Sequence, residues 1–422
     1  MIFQAASEPS REEWAERFAA VRGRTEALCK SLEVDDFQIQ STIDVSPPKW
    51  HLAHVTWFFE TFLLGEFAHN YRPFHPRFKY LFNSYYQTVG KFHPRPERSV
   101  LSRPTIAEIF GYREHVNHGM TQLIRNLGEE PWAEFASCLE LGLHHEQQHQ
   151  ELLLMDIKHN FAANPLRPAY HEAPATDHAA SVPLDWIGYA GGVHEIGYEG
   201  DGFAFDNETP RHQVLLQDYQ LASRPVTNGE FMEFVRSGGY SDSRYWLSDG
   251  WALIQQRGWQ APLYWERDNG GWSEMTLAGV RPLQPAEPVC HVSFYEADAY
   301  ARWAGKRLPN EVELEVAAGA QPVDGNFVES GLMHPRPARD AEDRQWYGDV
   351  WEWTSSSYGP YPGFHALAGS LGEYNGKFMC NQMVLRGGCC VTPQSHMRAS
   401  YRNFFYPADR WPFTGIRLAA DA

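Results

Sequence analysis

The rhythm of apolar and polar positions changes once along the chain, near residue 184. Before that point the pattern is helical. Ser10-Arg11-Glu12-Glu13 is a capping box and predicts a helix over about 11–32. Pro47 and Pro48 open a second helix, over about 50–67. Its run from Trp50 through His51, Leu52, Ala53 and His54 to Phe59 is aromatic and mostly apolar, so it should be largely buried. A polar-aromatic connection, 68–103, follows, and loops of that length inside a compact domain are usually functional. Thr105-Ile106-Ala107-Glu108 repeats the capping box for a third helix, to about 127. Pro131 starts a fourth, over about 132–161, with Gly142 its only interruption. Four helices with one long crossover predict an antiparallel bundle, and bundles build metal sites from side chains on facing helices.

Residues 162–183 are rich in Pro and Ala with little periodicity, which reads as a linker between domains. From Leu184 onward Gly, Trp and Tyr become frequent, and eleven of the fifteen tryptophans lie there. That texture predicts an irregular domain held by aromatic packing rather than by long elements. Two helices are legible in it, one over about 294–304 and one capped by Asn310. The rest reads as short strands and loops. The expected organisation is α+β: a helical bundle over 1–170, a linker over 171–183 and an irregular domain over 184–422.

Composition narrows the function. With 422 residues, 43% hydrophobic and 14% aromatic, the chain is globular and long enough for two or three cores. A net charge of −17 argues against a general nucleic-acid binder. No apolar run approaches the length of a membrane span. The start, Met1-Ile2-Phe3-Gln4, lacks the basic and apolar regions of a signal peptide, so a cytoplasmic protein is expected. The six cysteines form no C-x-x-C pair, which argues against a zinc ribbon and for reduced thiols. Oligomeric state is not legible.

The chemistry concentrates in the fourth helix, at Leu143-His144-His145-Glu146-Gln147-Gln148-His149. Residues four apart share a helix face, so His145 and His149 can grip one metal ion. Leu152 and Leu153 continue that side, which turns the pair toward a core. Glu146, Gln147 and Gln148 are polar in an otherwise apolar helix, and buried polar groups need partners of the kind a metal site supplies. The same residues match H-E-x-x-H, in which Glu146 would be the general base of a zinc protease. A third ligand should come from another helix, where His51 and His54 are the candidates and His54 lies deeper in the aromatic run.

The second half resembles the formylglycine-generating-enzyme fold. The resemblance rests on Asp185-Trp186-Ile187, Arg224-Pro225-Val226-Thr227-Asn228-Gly229-Glu230-Phe231, Pro288-Val289-Cys290-His291-Val292-Ser293, Gly305-Lys306-Arg307-Leu308-Pro309, Gly348-Asp349-Val350-Trp351-Glu352-Trp353-Thr354, Leu385-Arg386-Gly387-Gly388 and Gly415-Ile416-Arg417-Leu418. The first half resembles the DinB-like metal-binding bundle. Joined, with Leu52-Ala53-His54 on the second helix and His145 and His149 on the fourth, they resemble the sulfoxide synthases of ergothioneine biosynthesis.

That resemblance implies a non-haem Fe(II) site of His54, His145 and His149, with O2 as co-substrate. The implied reaction joins the sulfur of a thiol to the imidazole C2 of hercynine, trimethylated histidine, and yields a sulfoxide. Here H-E-x-x-H serves iron ligation, and Glu146 need not be a base. Tyr85 and Tyr86, in Asn83-Ser84-Tyr85-Tyr86-Gln87, resemble the active-site Tyr pair of one family branch and are the candidate proton donors. Arg95 and Arg98 resemble the arginines that hold the thiol's carboxylate, a task suited to the guanidinium fork. Gln148 resembles a hercynine contact, and Asn403, Phe404 and Phe405 fall in Tyr401-Arg402-Asn403-Phe404-Phe405, which resembles the hercynine-binding segment. Aromatic faces suit a trimethylammonium, which cannot donate hydrogen bonds. Relatives that take γ-glutamylcysteine carry an acidic residue where Phe405 stands, so cysteine is the expected co-substrate. His51 and His144 are expected to be dispensable for iron binding. The cysteine pair of the formylglycine-generating enzymes does chemistry, but nothing carries that role to Cys389 and Cys390 here. The rival readings are an enzyme of the same architecture acting on histidine or a selenosugar, and a non-catalytic metal-binding protein. Ovothiol synthases of the former kind usually add a methyltransferase domain, absent up to Ala422.

Overall fold

A computed structural model describes residues 9–172, 181–268 and 271–422. The chain divides into two compact units, Met1–Asn160 and Phe161–Ala422.

The first unit is a helical bundle. Its first helix, Arg11–Leu28, starts at the expected capping box: Glu13 N–H donates to Ser10 Oγ and Ser10 N–H to the Glu13 carboxylate. It stops four residues short of the expected 32, where Cys29 caps it. The second, Pro48–Phe59, is buried along its whole length, as its apolar composition requires. It continues as a π-helical segment, Glu60–Leu64, and one further turn, Gly65–Phe67. Glu60, at the start of that segment, is buried, and Tyr112, Tyr71 and the Phe74 N–H all donate to it. The third helix, Ile106–Asn126, opens at the Thr105–Glu108 capping box. The fourth, Trp132–Ala163, is continuous through Gly142. That glycine is a close approach: a Cβ there would lie 2.7 Å from Phe59 and 3.0 Å from Phe58. Its absence lets the second and fourth helices meet.

The long connection is built rather than loose. It contains a short helix, Phe78–Leu81, and a 3-10 turn, Arg95–Val100. Buried Asn83 braces it, donating to the carbonyls of Tyr86 and Gly90 and accepting from Tyr86 N–H.

The second unit is made of short strands, as expected. Its central sheet runs in the order Asn403–Phe405, Met383–Arg386, Trp351–Ser357, Thr414–Gly415. A second sheet brings together both ends of the unit, Trp186–Tyr189 and Ala419–Asp421, around Tyr219–Ala222. Helices Phe294–Trp303 and Glu311–Gly319 stand where the sequence placed them. Two more, Asn228–Arg236 and Ser248–Arg257, were expected to be loop. Each is short and lies among aromatic loops, which hides its period. The Thr227–Glu230 capping box of the first was nonetheless legible.

Buried ion pairs fix this irregular unit. Arg417 pairs with Glu352, and Arg386 and Arg402 share Glu311. Arg402 adjoins the Asn403–Phe405 strand and also donates to the carbonyls of Asn207 and Gly359, so that strand is held from its root. Tyr170, near the expected linker, is buried, and its N–H donates to the Leu277 carbonyl. Residues 173–180 of the expected linker lie outside the described residues. No helix among the described residues is long and apolar enough to cross a membrane.

Candidate metal centre

His54, His145 and His149 each offer a donor atom within 4.8 Å of the other two. Helical spacing accounts for the pair on the fourth helix, and the gap at Gly142 lets His54 reach it. The His54 ring stacks between Trp50, one turn back, and Trp57, one turn on, at 4.6 and 5.5 Å with near-parallel planes. His145 packs against Phe58. His54 Nδ1 donates to the Phe82 carbonyl at 2.6 Å, which leaves the lone pair on Nε2, and that buried nitrogen has no hydrogen-bond partner among the described residues. A wholly buried acceptor with nothing to accept from is costly unless something else fills its place.

The histidines are held neutral. Burial drives His145 down to about 3, against a small opposing pull from Glu146. Burial also carries His54 and His149 well below the ordinary imidazole value, with the neighbouring histidines adding to it. Neutral imidazole is the form that binds metals.

Behind His149 lies a chain of ring nitrogens. His149 Nδ1 is 2.9 Å from His51 Nδ1, and His51 Nε2 is 2.9 Å from Asp156 Oδ2. Ser46 N–H also donates to Asp156. Asp156 was missed in the sequence although the signal existed: it follows His149 by seven residues, two turns along one face.

Glu146 points elsewhere. It is fully buried and takes hydrogen bonds from Arg22, Arg113 and Thr25 at 2.7, 3.0 and 2.6 Å. Burial pushes its carboxyl up, but the charges of Arg22 and Arg113 outweigh that and hold it at about 2. Arg22 also donates to Thr56 on the second helix and Asn117 on the third, so one carboxylate ties all four helices together. A carboxylate so engaged is no base for a metal-bound water, and the protease reading falls.

The other sequence candidates fall in several settings. Tyr86 is wholly buried, stacked on half-buried Tyr85 at 4.6 Å and packed against Trp57, the ring that stacks on His54. Arg98 is buried with its guanidinium 3.3 Å from the Trp50 ring centre; it donates to Ser46 Oγ, and its Nε has no partner among the described residues. Arg95 is exposed and Gln148 half-buried. In the second unit Phe404 stacks on Tyr358 at 4.0 Å, Phe405 meets Trp411 edge-on, and Asn403 is half-buried beside them.

Comparison with known proteins adds the family. Residues 17–153 match the DinB superfamily, and 173–347 with 340–422 match the sulfatase-modifying factor enzyme 1-like domain. The hercynine oxygenase of Mycolicibacterium smegmatis is 31% identical, covering 98% of this chain and 99% of its own. The chain belongs to the hercynine oxygenase family. It is an enzyme, an oxygenase that uses O2. The hercynine oxygenase of Mycobacterium tuberculosis is likewise 31% identical over 98% of this chain and 99% of its own. Ergothioneine biosynthesis protein 1 of Schizosaccharomyces pombe is 25% identical over 60% of this chain and 33% of its own. For a hercynine oxygenase the three histidines are a fitting donor set, since neutral imidazoles on one side of an ion leave other positions open.

Proposed function

We propose that the chain is an Fe(II)- and O2-dependent sulfoxide synthase of ergothioneine biosynthesis that joins the sulfur of cysteine to C2 of hercynine. One oxygen atom ends on sulfur. The other leaves as water, with the hydrogens of C2 and the thiol. The observation that carries the reading is the buried, unpartnered Nε2 of His54 beside His145 and His149. These three would hold the iron, which when bound supplies the one-electron chemistry that O2 needs to react with a thiol and an aromatic carbon.

The protein's own groups divide the remaining work. Arg98, buried and with an Nε–H that has no partner among the described residues, and Arg95 would receive the carboxylate of cysteine. Gln148 and Asn403 would hydrogen-bond hercynine, and Phe404 and Phe405 would face its trimethylammonium. Tyr85 or Tyr86 would deliver the proton that commits the sulfur to coupling before it takes both oxygens. Trp50, Trp57 and Phe58 pack the His54 and His145 rings and keep water from their flanks.

The test is anaerobic loading with Fe(II), then O2, hercynine and cysteine, with mass spectrometry of the product. The hercynyl-cysteine sulfoxide is expected. Product from γ-glutamylcysteine or a selenium donor but not from cysteine would overturn the choice of co-substrate.

A further inference from the structure

We infer that His51 and Asp156 are positioning residues that fix His149 as a metal ligand; this rests on the three-histidine reading above. The argument is one of proton bookkeeping. Asp156 as a carboxylate only accepts, and it already takes the Ser46 N–H. The His51 Nε2 that faces it therefore carries the proton. A neutral His51 then has its lone pair on Nδ1, which faces His149 Nδ1 at 2.9 Å. Two lone pairs cannot face each other at that distance, so His149 carries its proton on Nδ1. Its Nε2 is left with the lone pair, the form needed to bind a metal.

The chain thus sets the His149 tautomer and its ring orientation from a charge two groups away. The negative end also makes the His149 ring a stronger donor, as carboxylate–histidine–metal arrangements do. His54 reaches the same tautomer by simpler means, through the Phe82 carbonyl. His51 and Asp156 are both buried, so solvent does not compete for these bonds. The expectation that His51 is dispensable does not fit this geometry.

The test is binding of Co(II), followed by its visible ligand-field bands, and of Fe(II) under anaerobic conditions, with the full chain. His51→Leu and Asp156→Ala should each weaken binding by roughly 10–100-fold, the usual effect of losing such a partner. The Co(II) bands should shift, and the loss of affinity should exceed what any fall in the metal-free melting temperature accounts for. His51→Asn should recover most of the affinity, because its amide oxygen can stand where Nδ1 stood. His51→Gln, whose amide lies toward Asp156, should not. Wild-type affinity in His51→Leu and Asp156→Ala would overturn the inference. So would a loss that merely tracks the melting temperature, with Asn no better than Leu. If His54→Ala and His145→Ala also bind Co(II) as the wild type does, the three-histidine reading itself fails. If those two lose the metal while the His51 and Asp156 variants keep it, only the relay fails.

Discussion

His54, His145 and His149 in the bundle, and Glu274, Glu287 and His334 in the second unit, each bring three donor atoms within 4.8 Å of one another. Distance alone does not separate them. The second cluster contains its own cation. Arg281, directly across the sheet from Glu274, pairs with both Glu274 and Glu287, and His334 lies 3.2 Å from Glu287. Burial opposes the charge of Arg281, but the two carboxylates hold it above its ordinary value. Such a cluster already holds a cation between its carboxylates and serves as a brace. The histidine cluster has a lone pair with no partner and backs onto donors and acceptors that fix its tautomers. A metal site is marked by what its donor atoms still lack.

The largest expected effect breaks the comparison on the histidine side. His54→Ala or His145→Ala should lower Fe(II) affinity by more than about 100-fold, since removing a direct ligand costs more than removing its support; metal content after anaerobic dialysis measures it. Sulfoxide formation should vanish with it. Retained iron in either variant would make the two clusters equivalent.

On the other side, Arg281→Ala should leave iron content unchanged and destabilise the second unit by roughly 3 kcal/mol, because two buried carboxylates lose their partner. Urea unfolding measures this. Glu146→Ala is the matching change within the bundle. It strands Arg22 and Arg113 and should cost roughly 3–5 kcal/mol. A variant that is stable but inactive would restore Glu146 as a chemical group.

Product partition sharpens the comparison further, since only a reacting centre can show it. Tyr85→Phe or Tyr86→Phe keeps the ring and loses the O–H. One of them should retain iron and both substrates yet shift product from sulfoxide toward cysteine sulfinate, by roughly 100-fold if the phenol acts as a positioned acid. The ratio by mass spectrometry reads it directly, and an unchanged ratio in both variants and in the double variant would remove the pair from the reaction.

The smallest effect lies in the second unit. Phe404→Ala should raise the apparent KM for hercynine by roughly 2–20-fold, the size of one cation–π contact, and that for cysteine less. Steady-state rates with each substrate varied decide it. Equal changes would point to the loss of the Tyr358 stack instead.

The chain by itself determined the bundle. The capping boxes at Ser10 and Thr105, Pro131 and the mostly apolar second helix are local signals, and local signals survive without the fold. The four-residue spacing put His145 and His149 on one face for the same reason. The family's motifs carried the second unit, although its helices at Asn228–Arg236 and Ser248–Arg257 were lost among aromatic loops too short to show a period. What only the tertiary structure decided joins residues from 33 to 124 positions apart along the chain. Sequence could not say that Glu146 turns to Arg22 and Arg113, that His51 faces His149 rather than solvent, or that Gly142 admits Phe58 and Phe59. Each of these depends on which faces of two helices meet, and that is fixed by packing across the bundle, not by periodicity within one element.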